Sequence, residues 1–165
     1  MKKKRWVPIL VAAVLVATGA LVAAHLLTDT VPEGNALVLR AGMKTVAVAL
    51  DRLDQAAFEG VLTNGKGETA SHAFRGVELR TLLAQKGFEL TEGVVVTATA
   101  QDQYAATLTA AEVLAPGKVY VAVSEDGSPL PGLAEGSQGA QLVVFGEPNA
   151  KRSVRMLEAI ALWGG

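Results

Sequence analysis

The chain has 165 residues, is 50% hydrophobic and 5% aromatic, contains no cysteine, and sets 15 Lys+Arg against 16 Asp+Glu. That length suits one domain of ordinary size. The missing cysteines exclude disulfides, thiolate-ligated metal sites and a cysteine nucleophile, and the charge balance excludes a global basic field for nucleic acid.

The hydrophobicity is concentrated at the start. Lys2, Lys3, Lys4 and Arg5 precede Trp6, and Val7–Leu27 follows as 21 residues without Asp, Glu, Lys or Arg. As a helix this run spans about 30 Å, the hydrocarbon thickness of a bilayer. Trp6 suits the headgroup interface, and Pro8 costs little in a first turn. Residues 1–27 are therefore expected to form an uncleaved membrane anchor. A signal peptide cut ahead of His25 is the alternative, but its apolar region would normally be only about 7–15 residues long. The basic cluster places the N-terminus in the cytoplasm and the rest on the periplasmic or extracellular side. Residues 28–36 form a polar tether, and 37–165 the exported domain. Without the first 27 residues the chain carries 11 basic and 16 acidic side chains, a net charge of −5.

In the exported domain, Leu37–Leu39 and Thr45–Leu50 read as strands, the second with strict alternation. Asp51–Phe58 predicts a short helix capped by Asp51. Phe58–Thr63 and Glu68–Phe74 flank Asn64-Gly65, a strong hairpin signal. Gly76–Lys86 places Val77, Leu79, Leu82 and Leu83 at helical spacing, with Gly87 as the stop. Val94–Ala98 and Tyr104–Leu108 predict two strands, and Thr109-Ala110-Ala111-Glu112 a capping box. Val119–Val123 reads as a strand ended by Glu125-Asp126-Gly127, Ser128–Gly139 as a loop, and Gln141–Phe145 and Val154–Leu162 as the last strands. Strands dominate over a few short helices, which predicts an α+β fold with a mixed or antiparallel sheet.

The usual catalytic constellations are missing. His72 is the one histidine well inside the domain, so no multi-histidine metal site can form from it, and no serine sits in a nucleophile context. The carboxylate pairs Asp51/Asp54 and Glu125/Asp126 fit a helix start and a turn. His72 shares a strand face with Phe74 and is expected to be a hydrogen-bonded, half-buried histidine, or else a cofactor or metal contact. Arg75 and Arg80 flank a helix start, and Lys151, Arg152 and Arg155 make a second basic group. Both groups read as solvated surface or as anion contacts.

The order of segments resembles a known family. Phe74-Arg75-Gly76-Val77-Glu78-Leu79-Arg80-Thr81-Leu82-Leu83 is similar to the GVxLxxLL helix start of the sulfite oxidase-type molybdopterin-binding domain. Val94–Tyr104 resembles its strand and DGY turn, here Asp102-Gln103-Tyr104, and Leu108–Leu114 its short lxxxEL segment. Val119–Pro131 resembles its strand and NGxPLP turn, Gly139–Gly146 its GPxRLVVPG strand, and Arg152–Ile160 its closing strand. The resemblance covers residues 45–162 and implies a sulfite oxidase-like molybdopterin-binding fold. In that family a cysteine thiolate ahead of the GVxLxxLL helix binds molybdenum. The corresponding stretch here, Phe58–Gly67, has no cysteine, which removes the ordinary molybdenum chemistry. Gln103 stands for the DGY glycine, Gln141 for the GPxR arginine, Phe145 for its proline and Ser153 for a tryptophan.

The resemblance thus implies a fold rather than an activity. The leading expectation is a membrane-anchored module that binds a cofactor or partner without ordinary sulfite oxidase chemistry. The cofactor is unknown, a molybdopterin-like group being the one the resemblance implies. His72, Arg75, Tyr104, Lys151 and Arg152 are the candidate contacts. The alternatives are a redox protein with an atypical pterin, metal or haem cofactor using His72, and a structural subunit of a membrane complex. For the last, Ala12, Ala13, Ala17, Gly19 and Ala20 would permit close helix packing.

Overall fold

The structure is a computed structural model that describes residues 35–164. The expected anchor over residues 1–27, and the tether apart from its last two residues, lie outside the described residues. Among the described residues no helix is long and apolar enough to cross a membrane.

Two five-stranded sheets enclose the core. Strands β1 (Ala36–Ala41) and β2 (Lys44–Ala49) form a tight hairpin, and β10 (Leu157–Trp163) runs parallel to β1. Antiparallel β5 (Val95–Ala100) and β6 (Ala105–Thr109) complete this first sheet in the order β2-β1-β10-β5-β6. The second sheet begins with the hairpin of β3 (Ala56–Thr63) and β4 (Thr69–Glu78) and continues through β7 (Val119–Glu125). The short β8 (Ser128–Pro129) and β9 (Gln141–Val144) both pair along the far edge of β7. Among the described strands only the β1–β10 pairing is parallel, so the expected mixed α+β fold is observed, as two sheets rather than one.

One apolar core joins the inner faces. Leu37, Leu39, Val96, Leu108 and Ile160 meet Val77, Val121, Leu142 and Val144 there, with Leu79, Leu82 and Leu83 of helix α1 (Leu79–Gln85) and Val113 of α2 (Ala110–Leu114). The outer face of the second sheet carries a smaller cluster of Phe74, Ala122 and Val143, against which Phe58, Leu62, Tyr120, Leu130 and Phe145 pack. The Phe58 ring stacks on Tyr120 at 4.1 Å and on Phe74 at 5.4 Å between centroids. Such offset aromatic packing stabilises beyond the area it buries.

Several boundaries differ from the sequence reading, in each case because strand pairing overrides local propensity. The expected helix over Asp51–Phe58 is a single 3-10 turn, Leu50–Arg52, preceded by Ala49 with no side-chain cap. Buried Leu50 and Leu53 pin that turn, and Ala56–Phe58 is drawn into register with Phe74–Gly76. Gly76–Glu78 likewise stays extended against Tyr120–Ala122, so the helix expected from Gly76 starts at Leu79. In the C-terminal segment Val154 makes only an isolated bridge with Leu142, and the strand begins at Leu157. The loop expected over Ser128–Gly139 contains β8 and a Pro131–Gln138 bridge.

The turn between β5 and β6 carries a local strain. Gln103 stands at φ 72°, in the left-handed region, which disfavours a Cβ by about 1–2 kcal/mol. Replacing it with glycine relieves that strain but adds freedom to the unfolded chain. Gln103→Gly is therefore expected to raise the stability by about 0.5 kcal/mol, as read from urea unfolding midpoints.

Candidate functional site

The site grows from two hairpins and a bulge. On β4, alternation directs His72 and Phe74 to the outer face of the second sheet, where Phe74 anchors the aromatic cluster. Simple alternation along β7 would send Tyr120, Ala122 and Ser124 outward and Glu125 inward. However, the β4–β7 register shifts between Arg75 and Gly76, with Arg75 opposite Ser124 and Gly76 opposite Ala122. The extra residue, Val123, reverses the alternation, and Glu125 lies opposite Phe74 on the outer face. Asp126 (φ 49°) and Gly127 (φ 81°) then turn the chain tightly into β8. Two consecutive positive φ values are the geometry of a type I′ hairpin turn, which asparagine, aspartate and glycine tolerate.

This turn hangs the Asp126 carboxylate back over β4. Its Oδ1 accepts the Ala73 N–H at 2.9 Å, while Oδ2 lies 2.9 Å from His72 Nδ1. Glu125 Oε1 approaches the same nitrogen at 3.2 Å. Both neighbours are carboxylate oxygens, which only accept, so Nδ1 carries the hydrogen. The backbone bond from Ala73, and then the bond from His72, hold the Asp126 carboxyl below the usual carboxylate range. His72 thus has the half-buried, hydrogen-bonded setting that the sequence led us to expect, within 6.0 Å of the Phe74 ring centroid.

Beside this trio opens a cavity of about 570 Å³. Its lining includes Leu62 and Ala70 of the β3–β4 hairpin, His72, Glu125, Gln141, Ser153 and Arg155. Gln141, on β9 opposite Ala122, is 3% exposed, and its Oε1 has no hydrogen-bond partner among the described residues. A buried polar atom left in this state costs about 1–3 kcal/mol. Gln141 stands where the resemblance has an arginine. Arg155, largely exposed, reaches 4.0 Å from Glu125 Oε2.

The other sequence-derived candidates are placed elsewhere. Arg75 projects from the opposite side of β4 and donates to the Gln55 carbonyl at 3.4 Å. The Tyr104 hydroxyl donates to the Lys151 carbonyl. The Arg152 guanidinium is spanned by two acids, donating from Nε to Glu147 Oε2 at 3.0 Å and from Nη1 to Glu112 Oε1 at 2.8 Å. Sequence reasoning did not bring Glu125, Asp126, Gln141 or Arg155 to the site. The Asp126-Gly127 pair signals the turn, but the bulge that re-aims Glu125 has no period to betray it.

Glu112 also completes the expected capping box, accepting the Thr109 N–H at 2.9 Å. That bond, and after it Arg152, lower its pKa from 4.5 to about 2. A depressed carboxyl stabilises the fold above its unfolded pKa, and the contribution is lost as pH falls through the folded value. Acid unfolding is thus expected to draw on Glu112 between about pH 4.5 and 2. In Glu112→Gln the domain should lose about 2 kcal/mol at neutral pH, after discounting for solvent screening. Its stability, followed by circular dichroism, should then vary less with pH across that window.

No family model matches the sequence, and none of the curated proteins matches it. The mixed, strand-rich fold is found among solved structures. One match is to the sulfane dehydrogenase SoxCD from Paracoccus pantotrophus, at 17% identity and a TM-score of 0.61. It covers 78% of this chain and 38% of that one, so the chain spans well under half of its neighbour's length.

Whether a molybdopterin-like group suits this site can be judged from the donors. The chain offers no thiolate to molybdenum. The cavity's charged lining sets Glu68 and Glu125 against Arg155, with His72 beside them, and is not a cationic cradle for a phosphate. Arg152 is engaged by two carboxylates, and Arg75 lies on the other side of the sheet. The residues present do not fit that group.

Proposed function

We propose that residues 37–165 form a membrane-anchored, extracytoplasmic module with a sulfite oxidase-type fold that binds a small polar ligand and does not carry out molybdenum chemistry. The observation that carries this reading is the cavity beside His72. It is walled by the β3–β4 hairpin and lined by Glu125, Gln141, Ser153 and Arg155, in a chain without cysteine. A buried amide oxygen with no partner favours a ligand that can donate a hydrogen bond to it. Anchoring through Val7–Leu27 would hold the module beside the membrane that its ligand or partner shares.

The full chain, extracted from its native membrane in mild detergent, tests this. Native mass spectrometry should find a bound small molecule, and its occupancy should fall in Gln141→Leu. Metal analysis should find no stoichiometric molybdenum. Stoichiometric molybdenum with sulfite turnover would overturn the reading.

A further inference from the structure

We propose that His72, Glu125 and Asp126 hold a divalent cation of the zinc class at the edge of the cavity. The inference deepens the binding reading above, and it rests on that reading only for the cavity's role. His72 Nδ1, a Glu125 oxygen and an Asp126 oxygen lie within 4.8 Å of one another. Nδ1 stands 2.9 Å from Asp126 Oδ2 and 3.2 Å from Glu125 Oε1. Nitrogen and oxygen ligands bonded at about 2.0–2.2 Å to such an ion stand about 3 Å apart across its coordination edges. A cation seated among the three atoms would therefore take the place of the Nδ1 hydrogen that now serves both carboxylates, the neutral imidazole then carrying its hydrogen on Nε2.

The fold has also fixed the donors beforehand. Asp126 spends Oδ1 on the Ala73 N–H, which leaves Oδ2 aimed at the site. The β7 bulge brings Glu125 to the same face, and Phe74 backs the imidazole. Such supporting contacts orient ligands and keep them from collapsing outward. Independently of the trio, buried Gln141 lines the same cavity with an unpartnered Oε1. This is the group expected beside a cation-bound water, whose hydrogens need acceptors. One imidazole and two carboxylates suit zinc, manganese or iron(II) better than a soft monovalent ion, and three protein ligands leave a position open toward the cavity.

The experiment uses the full chain in detergent, stripped with chelator and titrated with cobalt(II) chloride, then with zinc chloride as competitor. One equivalent of cobalt should bind with a visible absorption band, and zinc should displace it. His72→Ala and the shape-preserving Glu125→Gln should each weaken binding by roughly tenfold or more, with near-ultraviolet circular dichroism confirming the fold. Glu89→Gln, an exposed acid elsewhere, should leave it unchanged. Absence of stoichiometric cobalt binding overturns the proposal, as does binding that Glu125→Gln leaves intact. A small molecule retained in the cavity by a chain that binds no cobalt would refute the cation site alone. Cobalt bound by a chain with no small molecule would refute only the broader binding reading.

Discussion

Gly76→Ala is expected to lower the stability of the domain by about 3 kcal/mol or more, the cost of severe overpacking against a rigid element. A Cβ at this position would lie 2.0 Å from the Val121 carbonyl oxygen and 2.8 Å from Ala122 Cα. Both are backbone atoms of the neighbouring strand, so no side chain can swing away. The close approach occurs where β4 meets the β7 bulge, between the Gly76–Ala122 and Arg75–Ser124 pairs. Pushing the strands apart there would break the ladder that carries Glu125 toward His72. The variant should therefore lose cobalt affinity together with stability, whereas His72→Ala should lose mainly affinity. Urea unfolding and the cobalt titration on the same preparation separate the two cases. A change under about 0.5 kcal/mol, the ordinary range for surface positions, would show that the strands can part.

Phe74→Ala should cost about 3–5 kcal/mol, the usual range for truncating a buried phenylalanine. Phe74 is 2% exposed and belongs to the outer cluster, not to the main core. Its ring contacts Phe58 at 5.4 Å, Phe145 at 6.3 Å and His72 at 6.0 Å. The space left by its removal cannot close easily, because Phe145 is already seated on Gly60, where a Cβ would meet the ring at 2.2 Å. Phe74→Leu, which keeps most of the apolar volume, should cost about 1–1.5 kcal/mol. A Phe74→Ala loss no larger than that of Phe74→Leu, in matched thermal denaturation curves, would mean that the outer cluster adds little to folding.

The sequence yields much of the fold because its signals are local. Asn64-Gly65 marks the β3–β4 hairpin, whose register runs from Thr63–Thr69 to Ala56–Gly76. The Thr109–Glu112 capping box is present with both reciprocal bonds. The expected strand-dominated α+β class agrees with the fold shared with the sulfane dehydrogenase chain. Where local preference competes with pairing, pairing prevails: Asp51–Phe58 has helical composition, yet its second half serves β3. The site is less legible. His72 can be singled out from residue type and strand face. Its partners lie more than fifty positions away and meet it only through one inserted residue in β7. Lys151, Arg152 and Tyr104 look like anion contacts by type. Charge type alone does not show that Glu112 and Glu147 engage Arg152, or that Tyr104 serves the Lys151 carbonyl.

The parallel pairing of β1 with β10 bears on how the molecule is made. Val38 pairs with Ala159 and Ala41 with Leu162, and β10 also carries β5 on its other edge. The strand that links the two halves of the first sheet is therefore synthesised last. Until it emerges, the β1–β2 hairpin has no neighbour to cover its free edge, and an isolated hairpin is marginal in water. Contacts of such long sequence separation form slowly. Closure of the first sheet therefore waits on β10, and a chain cut short of Leu157 would present β1 and β5 as open edges to pairing with other strands.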